Sequence, residues 1–173
     1  MLCLSGSPAH SDFRLAKLKQ KLTDAGLQPG QLGSRFVHLI DLSEALDDNQ
    51  QTILETLLTY GPQMQSSDFD GQTFYVVPRP GTISPWASKA TDIAHHCGLT
   101  QIRRIERGIC YTLQCDAEVP VAYLHDRMTE AVFTELDACE ALFASHSPRP
   151  LASVALMKGV MSITTLEPPD PRS

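Results

Sequence analysis

The chain has 173 residues, of which 42% are hydrophobic, and a formal net charge of −6 at pH 7. These values suit one domain of ordinary size, and they argue against binding nucleic acid or an anionic membrane through bulk charge. No stretch approaches the roughly 20 apolar residues that span a bilayer, and the opening MLCLSGSP is too short for a signal peptide. Five cysteines, an odd number, suit a reducing compartment. We therefore expect a cytoplasmic protein.

Strand and helix patterns alternate along the first half of the chain. Apolar runs predict three strands, at residues 2–4, 36–42 and 74–77. Two amphipathic helices lie between them, the first capped by Ser11 or Asp12 and the second by Asp47 or Asp48. A polar connection over residues 63–71 precedes the third strand.

Residues 78–99, PRPGTISPWASKATDIAHHCGL, carry the densest group of local signals. Prolines and a glycine end the third strand, Ser84 offers an N-cap hydroxyl, and Pro85 suits the first position of a helix. Gly98 then predicts a left-handed C-terminal cap. One face of this helix is expected to collect the apolar side chains Trp86, Ala90, Ile93, Ala94 and Cys97.

The start of this helix predicts an anion site. Its backbone N–H groups and the helix dipole attract a phosphate or a carboxylate, and the hydroxyls of Thr82 and Ser84 add donors. Arg79 and Lys89 would add positive charge. The alternative is that these residues form only a structural turn and cap, with Trp86 as an ordinary core residue.

The next segment, residues 102–113, has its apolar residues at even spacing and predicts a long strand. A charged group lies at the outer end of that strand: Arg103, Arg104, Glu106 and Arg107. It would form either a phosphate or interdomain clamp or a solvated strand face.

The end of the chain predicts a short strand at residues 121–124 and then the longest helix, over residues 125–143. The helix prediction rests on an apolar stripe: Met128, Val132, Leu136, Cys139 and Phe143. Prolines beyond Ala144 mark a linker and a frayed tail.

Two motifs that suggest catalysis have stronger structural interpretations. The run around Gly108 and Cys110 imitates the elbow of a glutaminase nucleophile, but its last glycine is absent and the segment predicts continuous strand. His95, His96 and Cys97 suggest a metal site, yet adjacent residues on a helix point about 100° apart, so a helix C-terminus carrying histidines is favoured.

Four strings resemble the N-terminal region of the large, single-chain phosphoribosylformylglycinamidine synthases of purine biosynthesis. They are RPGTISPW, SKATDIAHHCGL, IRRIERGICY and LHDRMTEAVF. The likeness runs from about residue 4 to about residue 152 in matching order. It departs from the family pattern at Ala87, where a second serine is expected, and after residue 151, where the family's linker begins and is not continued.

The order of elements predicts an α+β fold of two packed halves, with antiparallel sheets and helices on one face. The resemblance implies that these halves are similar to a fused pair of the small accessory subunit of the multi-subunit enzyme. It implies an accessory, coupling domain at residues 1–144, and residues 145–173 as the start of a linker with a diverging or frayed tail.

The resemblance also implies a reaction that needs more protein than this chain. Formylglycinamide ribonucleotide, ATP and glutamine would give the amidine, ADP, phosphate and glutamate, with Mg²⁺ and ATP bound elsewhere in the full-length enzyme and no cofactor in this fragment. The expected partners are the synthetase and glutaminase domains of the same polypeptide, with neither nucleic acid nor membrane. The isolated domain could expose an apolar docking face and self-associate.

Within this domain we expect no catalytic residue and no metal ligand. The residues predicted to contact a partner domain or an anion are Arg79, Thr82, Ser84, Trp86, Ser88, Lys89, Asp92, Arg103 and Arg107. The competing hypothesis is a free-standing module that binds a phosphate or another protein. A third, that the chain is a complete enzyme, is disfavoured because it has no glycine-rich phosphate loop and no nucleophile with its base.

Overall fold

The computed structural model describes residues 1–61 and 69–144. It has one antiparallel sheet with helices against it, so the predicted α+β class is confirmed. The strands are β1 (Leu2–Pro8), β2 (Leu32–Leu42), β3 (Gln72–Pro78), β4 (Ile102–Leu113) and β5 (Glu130–Phe133). The helices are α1 (Asp12–Asp24), α2 (Asp48–Leu58) and α3 (Pro85–His96), with 3-10 helices at Val121–Tyr123 and Asp137–Phe143. The predicted linker and most of the connection at residues 63–71 lie outside the described residues.

The strands of the two expected halves join in one five-stranded sheet of order β1-β2-β4-β3-β5. The long strand β4 lies at its centre and pairs with β2 from Leu32↔Leu113 to Leu42↔Ile102. On its other side β4 pairs with β3 only as far as Val76↔Ile109. On its other edge β3 pairs with β5, from Tyr75↔Phe133 to Pro78↔Glu130. The turn that leads into α3 lies beside the unpaired part of β4, where Thr82 and Ser84 bind Arg104 and Glu106.

All three α-helices pack on the same face of the sheet. Leu22 of α1 contacts one apolar cluster with Phe74, Tyr111 and Leu113. The helices α2 and α3 share a second cluster, made by Leu54, Leu58, Ala94, Ile40 and Ile105 among others. Each large side chain that is fully buried contributes about 1.5–3 kcal/mol, so these two clusters hold the helices in place.

The opposite face of the sheet is covered by the 3-10 helix Asp137–Phe143. Cys139 and Leu142 of this helix are fully buried against Leu39 and Val77. This arrangement contradicts the predicted helix over residues 125–143, because β5 lies within that range and pairs with β3 at Val76↔Val132. Pairing at an open sheet edge outweighed the helical spacing, and Met128 of the expected stripe is 77% exposed.

The predicted helix caps are confirmed, whereas the predicted strand at residues 121–124 is not. Ser84, Pro85 and Asp47 occupy the predicted cap positions, and Asp47 forms a capping box with Gln50. Gly98 has the predicted left-handed backbone, at φ 87°. The predicted strand at residues 121–124 is wrong, because Leu124 N–H donates to the carbonyl three residues earlier and closes a 3-10 turn.

The buried face of α3 agrees with the expected one in part. Ala94 is buried, and Trp86 and Ala90 pack against the second apolar cluster, as predicted. The prediction is wrong for Ile93, which is 44% exposed, and for Cys97, which is also exposed. Ala87, which was not expected on this face, is fully buried.

The glycine at position 108 has no room for a side chain. A Cβ there would lie 2.8 Å from the Val76 carbonyl oxygen, which is backbone and cannot move aside. We expect Gly108→Ala to lower the free energy of unfolding by about 1–3 kcal/mol in urea denaturation. Gly33→Ala is the matched control in β2, because its Cβ would meet the Phe69 ring at an ordinary 3.4 Å. Equal losses in the two variants would contradict the close packing at Gly108.

Candidate functional site

A buried carboxylate organises the start of α3. Glu106 is fully buried, and its two oxygens accept from the Ser84 N–H at 3.1 Å and from the Ser84 hydroxyl at 2.7 Å. The same hydroxyl oxygen accepts from the Ala87 N–H at 3.0 Å, as an N-cap does. The cap of α3 is thereby fastened to β4, which fixes where the helix begins.

Arg104 provides the opposite charge for Glu106. The two residues are two apart in β4, so their side chains leave the same face of the strand. Arg104 Nε donates to the Glu106 carboxylate at 3.0 Å, and Nη2 donates to the same oxygen. The guanidinium also donates to the carbonyls of Thr82 at 2.6 Å and Leu142 at 3.3 Å. One cation therefore joins β4, the turn before α3 and the second 3-10 helix.

These bonds occupy most of the donors that the predicted anion site required. Pro85 has no N–H, the Ala87 N–H is satisfied by the cap, and the Ser84 N–H and hydroxyl bind the chain's own carboxylate. The Thr82 hydroxyl donates to the Arg79 carbonyl at 2.6 Å. An external phosphate at this position would have to displace the Glu106 carboxylate from Ser84.

A second polar cluster lies on the helix-bearing face, between the two apolar clusters. The Arg107 guanidinium lies over the ring of Phe36 at 4.5 Å and over the ring of Trp86 at 4.8 Å. A cation held between two aromatic faces is stabilised by their quadrupoles. Arg107 also donates to the Tyr60 hydroxyl at 3.3 Å. The predicted site residues Trp86 and Arg107 are thus brought together.

His38 forms the floor of this cluster. It is fully buried, its Nε2 lies 2.8 Å from the Tyr60 hydroxyl, and its ring stacks on Trp86 with centroids 5.7 Å apart. Burial, with the Arg107 guanidinium nearby, lowers the pKa of His38 to about 4. The imidazole is therefore neutral near pH 7.

A cleft of about 210 Å³ opens between α2 and α3 beside this cluster. Its walls are mainly apolar and include Leu54, Leu57, Ile93 and Trp86, while Lys89 and Tyr60 contribute polar groups. Sequence reasoning missed this cleft and the buried His38. The only available signal was an isolated histidine inside the otherwise apolar segment FVHLI.

Four of the predicted contact residues lie exposed on the turn and outer side of α3. Within the described parts of the chain, the side chains of Arg79, Ser88, Lys89 and Asp92 form no hydrogen bond or ion pair. Ile83 and Ile93 lie in the same stretch and are 64% and 44% exposed. The surface is therefore mixed, with unpaired polar groups beside exposed apolar ones.

Arg103 lies apart from this group. Its guanidinium donates to the Leu42 carbonyl at 2.7 Å and forms an ion pair with Asp41 at 3.1 Å, and the Arg103 side chain is 61% exposed. It thus fastens the end of β4 to β2. The charged residues of β4 therefore have three different surroundings. Arg103 forms an exposed ion pair with Asp41. Arg104 and Glu106 form a buried ion pair, and Arg107 lies between the rings of Phe36 and Trp86.

The motifs that suggested catalysis are not assembled into sites. Cys110 is 2% exposed in the middle of β4, and burial raises the pKa of its thiol. His95 donates to the Ile102 carbonyl and His96 to the Asp92 carbonyl, so the two rings point to different partners. Residues 1–61 and 69–144 contain no cluster of three His, Cys, Asp or Glu side chains that could hold a metal ion. Over the same ranges, every helix is too short or too polar to cross a membrane.

The buried Arg104–Glu106 pair gives a stability prediction. Arg104→Ala leaves a carboxylate buried without its cation, so we expect the free energy of unfolding to fall by about 3–5 kcal/mol. Arg103→Ala is the matched control in the same strand, and its exposed pair should cost less than about 1 kcal/mol. Urea denaturation of both variants measures the difference, and similar losses would refute a dominant role for Arg104.

The buried His38 gives a pH prediction. Burial lowers the pKa of His38 from its ordinary 6.5 to about 4, so the unfolded chain binds the proton more tightly. This contribution to stability is fully present above pH 6.5 and is lost as the pH falls toward 4, by at most about 3 kcal/mol.

Denaturation of wild type and of His38→Gln across that range of pH tests this contribution. We expect the variant to show a flatter loss of stability, whereas His96→Gln, at an exposed histidine, keeps the wild-type slope. A slope unchanged by His38→Gln would contradict the assignment.

A comparison with protein families identifies the family of this chain. The sequence model described as formylglycinamide ribonucleotide amidotransferase N-terminal matches residues 35–143, which is more than half of the chain. The match begins in β2 and includes the Arg104–Glu106 pair, α3 and the second 3-10 helix. The chain therefore belongs to this N-terminal family of the phosphoribosylformylglycinamidine synthases, ligases of purine biosynthesis.

Proposed function

We propose that this domain couples the synthetase and glutaminase regions of an ATP- and glutamine-dependent ligase and performs no chemistry alone. The reaction would convert formylglycinamide ribonucleotide to formylglycinamidine ribonucleotide. ATP and Mg²⁺ would bind in the synthetase region. The glutaminase would release ammonia, and this ammonia must reach the activated carbon before water converts it to ammonium. A packed accessory domain can help to close that route.

The observation that carries this proposal is the exposed surface of α3. Arg79, Ser88, Lys89 and Asp92 have unpaired side chains, and Ile83 and Ile93 expose apolar area beside them. Interfaces between domains combine polar and apolar groups in this way. The helix that presents them is held to the sheet by Ser84 and Glu106, so the surface is preorganised. A rigid, unpaired surface favours contact with another domain.

The structure does not favour the alternative of a free-standing phosphate-binding module. The donors at the start of α3 are mostly occupied by Glu106 and by the helix cap, so a phosphate would find few free donors there. That alternative would require phosphate to bind the 173-residue chain in calorimetry. It would also require an antibody against this domain to detect a natural polypeptide near 19.0 kDa. The coupling proposal expects a much larger polypeptide and no phosphate binding.

Substitutions in the full-length enzyme test the coupling. We expect Lys89→Ala and Arg79→Ala to lower the glutamine-dependent rate by roughly tenfold, the loss of about 1.4 kcal/mol of interface contact, with a smaller effect on the ammonia-dependent rate. Lys19→Ala on α1 is the control for removing an exposed cation elsewhere and should leave both rates unchanged. Wild-type rates with both nitrogen sources in the Lys89 and Arg79 variants would reject the proposal.

A further inference from the structure

The cleft between α2 and α3 has the size of a site for a small ligand. Its volume of about 210 Å³ exceeds the roughly 150 Å³ of an engineered apolar cavity that holds benzene. In proportion to benzene, the cleft has room for about eight carbon atoms. Ile93 lines the cleft and is 44% exposed, so a ligand there would remove apolar surface from water.

The charge in the lining of the cleft has one sign. Among the described residues that line it, Lys89 is basic and none is acidic. Lys89 lies three residues after Trp86 and four before Ile93, so the three side chains share one face of α3. The Lys89 ammonium forms no hydrogen bond or ion pair within the described residues. Its long stem can follow the apolar wall while the ammonium stays at the mouth of the cleft.

A second cation lies behind the same wall. Arg107 is half-buried, packs on the ring of Trp86 and donates to the Tyr60 hydroxyl at 3.3 Å, and both of these partners line the cleft. Over residues 1–61 and 69–144, no carboxylate forms an ion pair with Arg107. Its charge is therefore not neutralised, and an apolar surrounding screens that charge less than water does. The cleft thus favours a negatively charged ligand over a neutral or positive one.

We propose that the cleft between α2 and α3 binds a small monocarboxylate with an apolar body of about eight carbon atoms. The body packs against Leu54, Leu57 and Ile93, and the carboxylate accepts hydrogen bonds from the Lys89 ammonium. The proposal concerns binding by the domain alone, so it does not rest on the coupling function. In the full-length enzyme the ligand and another domain would compete for Lys89.

Trp86 makes binding measurable, because it is the only tryptophan of the chain and it lines the cleft. The test titrates octanoate into the 173-residue chain and follows the fluorescence emission of Trp86. We expect a saturable change, with hexanoate binding about 16-fold more weakly, since each buried methylene is worth about fourfold in affinity. 1-Octanol has the same apolar chain without the charge. We expect it to bind roughly tenfold more weakly than octanoate, because it lacks the charge-assisted hydrogen bond.

Substitutions locate the binding site. Lys89→Gln keeps most of the stem and removes the charge, so we expect its affinity for octanoate to fall roughly tenfold while its affinity for 1-octanol is unchanged. Lys19→Gln removes an exposed cation from α1 and is the matched control, which should bind octanoate as wild type does. Ile93→Asp places a negative charge at a cleft residue that is 44% exposed, so it should abolish octanoate binding while circular dichroism shows the helices intact.

Three results would overturn the proposal. The first is equal affinity of the wild-type chain for octanoate and 1-octanol, since the charge of Lys89 would then contribute nothing. The second is wild-type affinity for octanoate in Lys89→Gln or in Ile93→Asp, since the ligand would then bind elsewhere. The third is a Trp86 emission that does not change, or that changes without saturation, since the cleft would then hold no specific ligand of this class.

Discussion

The ion pair between Arg104 and Glu106 is the interaction on which the rest of the structure depends. A fully buried carboxylate is costly unless its charge and its lone pairs are satisfied, and Glu106 has a guanidinium, a hydroxyl and a backbone N–H around it. Those partners come from β4 and from the cap of α3, while Arg104 also reaches Leu142. Satisfying one charge therefore sets the relative positions of three segments.

The start of α3 has the sequence signals of an anion site, and the anion that binds there is the chain's own Glu106 carboxylate. A helix N-terminus favours negative charge, and here Glu106 supplies it from within the chain. The exposed side chains of Ser88, Lys89 and Asp92, further along α3, form no hydrogen bond or ion pair within the described residues. The family match assigns the domain to the N-terminal family of these ligases, and the structure separates the residues that hold the domain together from those that are exposed on α3.

Local signals predicted the segments whose structure is determined locally. Ser84-Pro85, a cap at Asp47 or Asp48 and Gly98 were predicted because each is a short-range backbone requirement. The sequence did not predict β5, because its conformation depends on the open edge of β3, over fifty residues earlier. The Arg104–Glu106 network was missed for a similar reason. It requires β3 to leave β4 after Val76 so that the cap of α3 can reach the vacated position.

The edge strand β5 has a consequence for folding and solubility. It covers β3 over only four residues, and it arrives late in the chain. Until it pairs, the outer edge of β3 presents free N–H and carbonyl groups next to Phe74 and Val76, which is the arrangement that recruits strands from other molecules. A nascent chain that has not yet reached residue 130 is therefore exposed to edge-to-edge association, and completion of the last strand protects it.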